Sequence, residues 1–256
     1  MLTALCSVVI AAQLTAGAHA LRLSSRRYVW FAALTLVLSL EAAGAVILRL
    51  GTDNYMWFWI GIQPAKYAAM GFAALEIVRR LPEHFGNRLG AYGKNVFVRA
   101  LQASLLLSVL SAFIEVSLVP PVKHSALVLR VTIGFARIFQ FLLAVLLALI
   151  AWEVYLTQVR LSRNLLRHAL LFATYLWTHV ALYLIRNLLT TTARASATAL
   201  NDAMLVFDAT LFAAWVVLLR PAGESLPSKT SDSPEEVAAL HAITDRFRQT
   251  LRRIVR

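Results

Sequence analysis

The chain is organised as seven long apolar runs, separated by short segments that contain turn-forming residues and most of the arginines. A run of about 18 or more residues with few charges is long enough to cross a bilayer as a helix. The pattern therefore predicts an all-α fold, a polytopic membrane bundle of seven transmembrane helices. The predicted spans are 2–21, 28–49, 55–78, 97–119, 127–155, 165–187 and 197–219.

Beyond the last run the pattern changes twice. Residues 221–232 are polar and read as a linker that follows a transmembrane domain over residues 1–220. Residues 233–256 begin with Ser-Pro-Glu-Glu, a typical helix start, and apolar residues then recur every three or four positions. Basic side chains crowd the end of this segment: Arg246, Arg248, Arg252, Arg253 and Arg256. We predict a basic amphipathic helix that lies on the anionic inner leaflet or pairs as a short coiled coil.

Composition agrees with a membrane location, because 59% of the residues are hydrophobic and only 15% are charged. Soluble domains carry about 25% charged residues. The net charge of +12 would indicate nucleic acid in a soluble protein. Here the membrane surface accounts for it, so no nucleic-acid partner is expected. Cys6 is the single cysteine, which excludes an intrachain disulfide and a cysteine-based metal site.

The distribution of lysine and arginine predicts the orientation. Of the 25 basic residues, 18 lie in the tail or beside the connections after spans 1, 3 and 5, and five lie beside the other connections. Basic loops stay in the cytoplasm, so we predict an outer N-terminus, a cytoplasmic C-terminus and a multi-pass protein of the cell's inner (cytoplasmic) membrane. Ala18-His19-Ala20 resembles a signal-peptidase site. Arg22 directly after it, with no basic residue before the apolar run, favours a retained anchor over a cleaved signal.

Ionisable side chains interrupt five of the predicted spans: Glu41, Lys66, Arg137, His179 and Asp208. Such residues are costly inside a bilayer and usually face the bundle interior, which makes them candidates for a functional site. All five fall in the outer half of the predicted bundle. Gln140 lies one turn from Arg137 on the same helix face.

Two interpretations of these six residues stay open. If the helices converge, the residues line an outward-facing pocket for a polar or amphipathic ligand, or Glu41, His179 and Asp208 form a proton relay. Alternatively, the charges form interhelical salt bridges that only fix the packing, such as Glu41 with Arg137 and Lys66 with Asp208. No residue is assigned a catalytic role, and the sequence indicates no metal site and no cofactor.

Small residues form a stripe along the third span, at every fourth position: Gly61, Ala65, Ala69 and Ala73. Small residues let two helix backbones approach closely. The stripe therefore predicts a surface of close helix contact.

Two families with seven spans invite comparison. The segment Met204-Leu-Val-Phe-Asp208-Ala-Thr210 is similar to the last helix of the microbial rhodopsins, but Phe212 stands where the retinal-bearing lysine belongs, so no retinal is expected. The chain more closely resembles a family of small uncharacterised bacterial integral membrane proteins with seven transmembrane helices. The basic segment 22–28, the aromatic segment 55–59 and the Ala-Leu-Glu76-Ile sequence carry that resemblance. It covers nearly the whole chain and implies the fold, but no activity.

Enzyme motifs are missing from the sequence, including the nucleophile elbow, His-Glu-x-x-His and the P-loop. The odd number of spans and the lack of an internal repeat favour a sensor over a carrier. We therefore predict a non-enzymatic sensor, receptor-like protein or accessory membrane subunit, which needs a cytoplasmic or membrane protein partner to pass on a signal. The alternatives are a small transporter or proton-coupled carrier, and an intramembrane enzyme of unknown chemistry. The sequence does not indicate an oligomeric state.

Overall fold

A computed structural model describes residues 2–24, 26–49, 52–80, 87–117, 124–156, 161–189 and 194–224. This part of the chain contains seven α-helices and a short 3-10 turn at Pro221–Gly223, which confirms the all-α prediction. The helices are α1 (Leu2–Leu23), α2 (Val29–Ile47), α3 (Asp53–Arg80), α4 (Asn87–Ser117), α5 (His124–Leu156), α6 (Arg163–Leu189) and α7 (Arg194–Leu218).

Four of these helices are long and apolar enough to cross a membrane. They are α1, α2, the Leu127–Trp152 part of α5 and the Ala199–Leu218 part of α7. Within the described residues, α4 has a shorter apolar stretch, Phe97–Ser111. Several apolar helices of this kind identify the chain as an integral membrane protein.

The helices form a closed ring in which each contacts the next and α7 contacts α1. Helix α3 also contacts α5 and α6, so it is the most enclosed helix of the bundle. Its polar side chains Gln63, Lys66, Glu76 and Arg80 are buried against neighbouring helices. The interior position of α3 explains why it carries more polar residues than α1 or α2.

The outer surface of the bundle is apolar. Large hydrophobic side chains are exposed around the ring, among them Ile47 at 77%, Leu106 at 70% and Phe113 at 65%. Soluble monomers rarely expose extended apolar surface, whereas a bilayer solvates it. The exposed side chains therefore agree with a lipid-facing exterior.

Glycine and alanine permit close contact at a few positions. Gly17 of α1 lies against Thr35 of α2, and Gly44 of α2 lies against the ring of Phe58 on α3, so that a Cβ at either glycine would collide. The stripe predicted on α3 is only half correct as a contact surface. Ala69 and Ala73 are buried, but Gly61 and Ala65 are exposed on the surface of the bundle, and a Cβ at Gly61 would meet nothing within 4 Å.

Candidate functional site

Glu41 and Lys66 form an ion pair between α2 and α3. The Lys66 Nζ lies 2.8 Å from the Glu41 Oε2, and the Gln63 Nε2 donates a hydrogen bond of 3.3 Å to the Glu41 Oε1. The Glu41 and Lys66 side chains are 16% and 6% exposed, so the pair is largely shielded. Removing one member would leave the other charge in an apolar interior, which is costly.

His179 and Asp208 form a second pair, between α6 and α7. The His179 Nε2 lies 3.6 Å from the Asp208 Oδ1, which is longer than a hydrogen bond. The other ring nitrogen, Nδ1, is 2.9 Å from the carbonyl oxygen of Tyr175 and can only donate to it. In the neutral ring Nε2 therefore carries the lone pair, and it lies beside the carboxylate inside the bundle.

Arg137 and Gln140 lie on α5. Gln140 is fully buried, and neither atom of its amide has a hydrogen-bond partner among the described residues. The buried Nε of Arg137 also lacks one in this part of the chain. Buried polar groups are normally hydrogen-bonded, so these two side chains mark a polar position that is open to a water or a ligand.

The structure thus pairs the predicted site residues differently from the salt bridges considered above. Glu41 pairs with Lys66 rather than with Arg137, and Asp208 faces His179 rather than Lys66. Whether all six residues act as one pocket or relay stays a prediction. The basic residues Arg246, Arg248, Arg252, Arg253 and Arg256 lie outside the described residues.

Glu224 is the centre of a polar network that the sequence analysis did not single out. Its carboxylate accepts hydrogen bonds from the Tyr28 hydroxyl at 2.5 Å and from the Asn164 amide at 2.7 Å. It also forms ion pairs with Arg27 at 2.8 Å and with Arg80 at 3.1 Å. We call these five residues the Glu224 network. It joins the α1–α2 connection, the end of α3 and the start of α6 to the residue that follows the 3-10 turn after α7.

The network favours the ionised form of Glu224. Burial acts to raise the pKa of the carboxyl, but hydrogen bonds from Tyr28, Asn164 and Arg27, together with the charge of Arg80, hold its pKa below the usual value. The Arg80 guanidinium also lies 5.2 Å from the centre of the Tyr28 ring, a cation–π distance. Glu224 therefore acts as an anion that holds two cations at one end of the bundle.

Side chains from α1 and α6 bind the carbonyl group at the end of α7 and those of the two residues that follow it. A helix end leaves its final carbonyls without partners. Here Arg167 donates to the Leu218 oxygen at 2.6 Å, His19 bonds the Leu219 oxygen at 2.9 Å, and Asn164 donates to the Arg220 oxygen at 2.8 Å. The chain then turns through Pro221–Gly223, and a Cβ at Gly223 would collide with Asn164. These contacts place Glu224 back against the bundle.

Glu76 of α3 caps the start of α2. Its two carboxylate oxygens accept hydrogen bonds from the backbone N–H groups of Trp30, at 2.6 Å, and Phe31, at 3.0 Å. The first N–H groups of a helix have no partner within the helix, and a carboxylate there is favourable for the helix dipole. The role of Glu76 as a helix cap therefore accounts for a buried acidic residue at this position.

An aromatic cluster around His168 packs beside the Glu224 network. The Trp215 Nε1 donates to the His168 Nδ1 at 3.0 Å, so the neutral ring carries its proton on Nε2. That nitrogen is buried and has no hydrogen-bond partner among the described residues. Tyr28 and Phe31 pack edge-on against the same ring, with centroids at 5.3 Å and 4.9 Å. His168 thus packs as a core histidine between α2, α6 and α7.

Sequence reasoning could have found part of the Glu224 network. Tyr28, Arg80 and Asn164 all lie at the predicted cytoplasmic ends of their spans, which placed them at one depth. Glu224 lies within a polar segment where one more acid does not stand out. Within the described residues, no group of three or more histidine, cysteine, aspartate or glutamate side chains could hold a metal ion.

Comparison with known proteins adds no family, because no protein-family description, no curated protein and no solved structure matches the sequence.

Proposed function

We propose that the protein is a non-enzymatic receptor-like or accessory membrane subunit, in which a polar site inside the bundle is coupled to the cytoplasmic C-terminal segment. The observation that carries the proposal is the Glu224 network. Glu224 directly precedes the remaining C-terminal residues, and it bonds to residues of the α1–α2 connection, α3 and α6. A change in the packing of these helices would therefore move Glu224 and, with it, the start of that segment.

The proposal includes seven membrane crossings, with the N-terminus outside and the C-terminus in the cytoplasm. Helices α3 and α6 contain 28 and 27 residues. At 1.5 Å per residue each is about 40 Å long, more than the roughly 30 Å of the hydrocarbon core. Their polar side chains Lys66, Asn164, His168 and His179 are buried inside the bundle. These helices can therefore cross the membrane in spite of their polar composition.

The proposal can be tested with a fluorophore on the C-terminal segment. In a Cys6→Ala background, an environment-sensitive dye is attached at Ala239→Cys and the full-length protein is placed in lipid nanodiscs. We expect Glu224→Gln to shift the dye emission, and Lys66→Met or Asp208→Asn, deep in the bundle, to shift it in the same direction. Asp53→Asn, at an exposed position on α3, is the control and should leave the emission unchanged. An emission that responds to no change in the bundle would exclude coupling.

A proton-coupled carrier is the second candidate, and the His179–Asp208 pair favours it. The His179 Nε2 lies 3.6 Å from the Asp208 Oδ1 inside the bundle, and buried histidine and carboxylate side chains are the residue types that form proton relays in pumps and transporters. Reconstituted vesicles loaded with a pH-sensitive dye distinguish the two functions. Proton flux that disappears in Asp208→Asn would establish the carrier, whereas a receptor shows no such flux.

A further inference from the structure

A large groove lies between α3, α4 and α5, away from the Glu224 network. Its volume is about 740 Å³, within the range of small-molecule sites. Its lining is apolar and aromatic and includes Tyr67, Phe72, Leu105, Phe113 and Phe135. Phe72, Leu105 and Phe113 are 40%, 48% and 65% exposed. Because these side chains reach the outer surface of the bundle, the groove opens sideways, toward the lipid.

One buried polar side chain in the lining indicates a ligand. Gln63 lines the groove and is only 1% exposed. Its amide nitrogen donates to Glu41, but its oxygen has no hydrogen-bond partner among the described residues. A buried acceptor without a partner is costly. A donor on a molecule in the groove would remove that cost.

The lining also contains two acceptors, the Ile60 carbonyl and the Thr132 hydroxyl, beside the Tyr67 hydroxyl and the Gln102 amide, which can donate or accept. Pro64 has no N–H, so the carbonyl of Ile60 loses its regular helical donor. Thr132 uses its hydroxyl proton on the Val128 carbonyl, at 2.9 Å, which leaves its oxygen as an acceptor. Tyr67 packs against Phe135 and Phe139, with centroids at 5.4 Å and 5.6 Å, and Thr132 and Gln63 both line the groove beside this aromatic contact.

Among the described residues, the lining contains no charged side chain. An ionised head group would therefore have no counter-charge in the groove, and its desolvation would be costly. A ligand that matches the lining is uncharged, has a long apolar body and carries a hydrogen-bond donor at one end.

We propose that the groove binds a membrane-dissolved lipid alcohol, with its hydroxyl donating to the Gln63 amide oxygen and its chain packed along Phe72, Leu105 and Phe135. The inference rests on the proposed function, since it names the ligand class of the receptor. Gln63 connects the two features, because it lines the groove while its nitrogen bonds Glu41 of the Glu41–Lys66 pair. A bound hydroxyl would thus act on the polar pair in the bundle interior.

The test is photolabelling of the full-length protein in nanodiscs with hexadecanol that carries a diazirine and an alkyne. The matched control probe is its methyl ether, which has the same chain but no donor. We expect the alcohol to label peptides of α3, α4 and α5 about fivefold more than the ether, which corresponds to one hydrogen bond. Excess hexadecanol should displace it. Gln63→Leu should reduce alcohol labelling to the level of the ether.

Two further variants keep the test independent of the Gln63 change. Ala68 is exposed on α3 and lines the groove, so Ala68→Trp should fill the groove and abolish labelling by both probes. Ala65→Trp, at an exposed position of the same helix outside the lining, should leave labelling unchanged. Equal labelling by the alcohol and the ether in the natural protein, or labelling spread over all helices, would overturn the proposal. The dye experiment above does not depend on this result, so the two proposals can fail separately.

Discussion

Three of the described carboxylates, Glu41, Glu76 and Glu224, are held by donors from other segments of the chain. Glu41 binds Lys66 and Gln63, Glu76 binds two backbone N–H groups, and Glu224 binds four side chains. Taking a charge out of water costs several kcal/mol unless partners compensate for it. The partners therefore determine which of these residues can be changed without loss of the fold.

The Glu41–Lys66 pair can be measured with a double-mutant cycle. We expect Glu41→Gln and Lys66→Met each to lower the free energy of unfolding by about 3 kcal/mol, because each leaves one buried charge without its partner. The double variant should recover about 1 to 3 kcal/mol of the summed loss. Titration with sodium dodecyl sulfate, followed by tryptophan fluorescence, provides the free energies.

Arg137 supplies the control for that cycle. Its Nε has no hydrogen-bond partner among the described residues, and no ion pair with Glu41 is seen there, so Glu41→Gln and Arg137→Met should be additive within about 0.5 kcal/mol. Coupling between Glu41 and Arg137, with none between Glu41 and Lys66, would mean that the helices pack in a different register.

Glu224 should make the stability depend on pH. Its pKa in the folded protein lies below its ordinary value of 4.5, because the hydrogen bonds and cations of the network outweigh the effect of burial. Its contribution is therefore complete above about pH 5 and is lost as the pH falls through the folded pKa. At pH 7, Glu224→Gln should cost about 2 kcal/mol of unfolding free energy.

Thermal unfolding of both proteins between about pH 7 and about pH 3 checks this sign. The difference in melting temperature between the natural protein and Glu224→Gln should shrink as the pH falls. Asp53→Asn, with an exposed side chain, should retain the pH dependence of the natural protein. A difference that grows toward acid pH would contradict a lowered pKa.

The sequence predicted which single residues are unusual, but not their partners. Glu41, Lys66, His179 and Asp208 were found because each interrupts an apolar run. Which charged residues form pairs depends on the rotation of each helix about its axis and on which helices are neighbours. A hydropathy pattern predicts neither of these. Glu224 was missed because it lies in a polar segment, where an acidic residue does not differ from its neighbours in hydropathy.

At the scale of the elements, α3 shows why hydropathy alone gives an incomplete account. A helix enclosed by protein does not have to be apolar, since its polar side chains can bond to neighbouring helices. Lys66, Glu76 and Arg80 do so with Glu41, the start of α2 and Glu224. Helix α4 begins at Asn87, ten residues before the predicted span. The seven helices of the described residues were otherwise predictable, because apolar runs are local signals. The central position of α3 was not.

The contact between α2 and α3 should be sensitive at Gly44. A methyl group there would collide with the ring of Phe58, and overpacking of this kind costs about 1 to 3 kcal/mol. We therefore expect Gly44→Ala to lower the thermal midpoint. Gly61→Ala is the matched control on α3, since a Cβ there meets nothing within 4 Å. It should leave stability unchanged or raise it by up to about 1 kcal/mol, and a larger loss at Gly61 than at Gly44 would disprove the described contact.

At the scale of the whole molecule, the ring of helices presents apolar side chains outward and joins its polar groups inside. The contacts of α1 with α7 close the ring, and the Glu224 network ties its ends together on one side. Four helices are apolar enough to cross a membrane by composition alone. Helix α6 contacts α5 and α7, and α3 contacts α2 and α5, so each lies against two of these four helices. Seven crossings also require α4 to cross, and they stay a prediction.

Cysteine labelling can decide between four crossings and seven. In a Cys6→Ala background, single cysteines replace Thr52, which is exposed between α2 and α3, and Ser228 in the predicted linker. If all seven helices cross, five crossings separate the two positions, so they lie on opposite sides of the membrane. If only α1, α2, α5 and α7 cross, two crossings separate them, and they lie on the same side.

We expect a membrane-impermeant maleimide to label Thr52→Cys in intact bacterial spheroplasts and to label Ser228→Cys only after permeabilisation, because basic segments stay in the cytoplasm. The permeabilised sample is the control for reactivity, since both cysteines should react there. Labelling of both positions in intact spheroplasts, or of neither, would contradict seven crossings. Labelling of Ser228→Cys alone would still mean that an odd number of crossings separates the two positions. The orientation in the membrane would, however, be opposite to the one that the charge distribution predicts. The Glu224 network would then face the outside, and its proposed coupling to a cytoplasmic partner would be wrong.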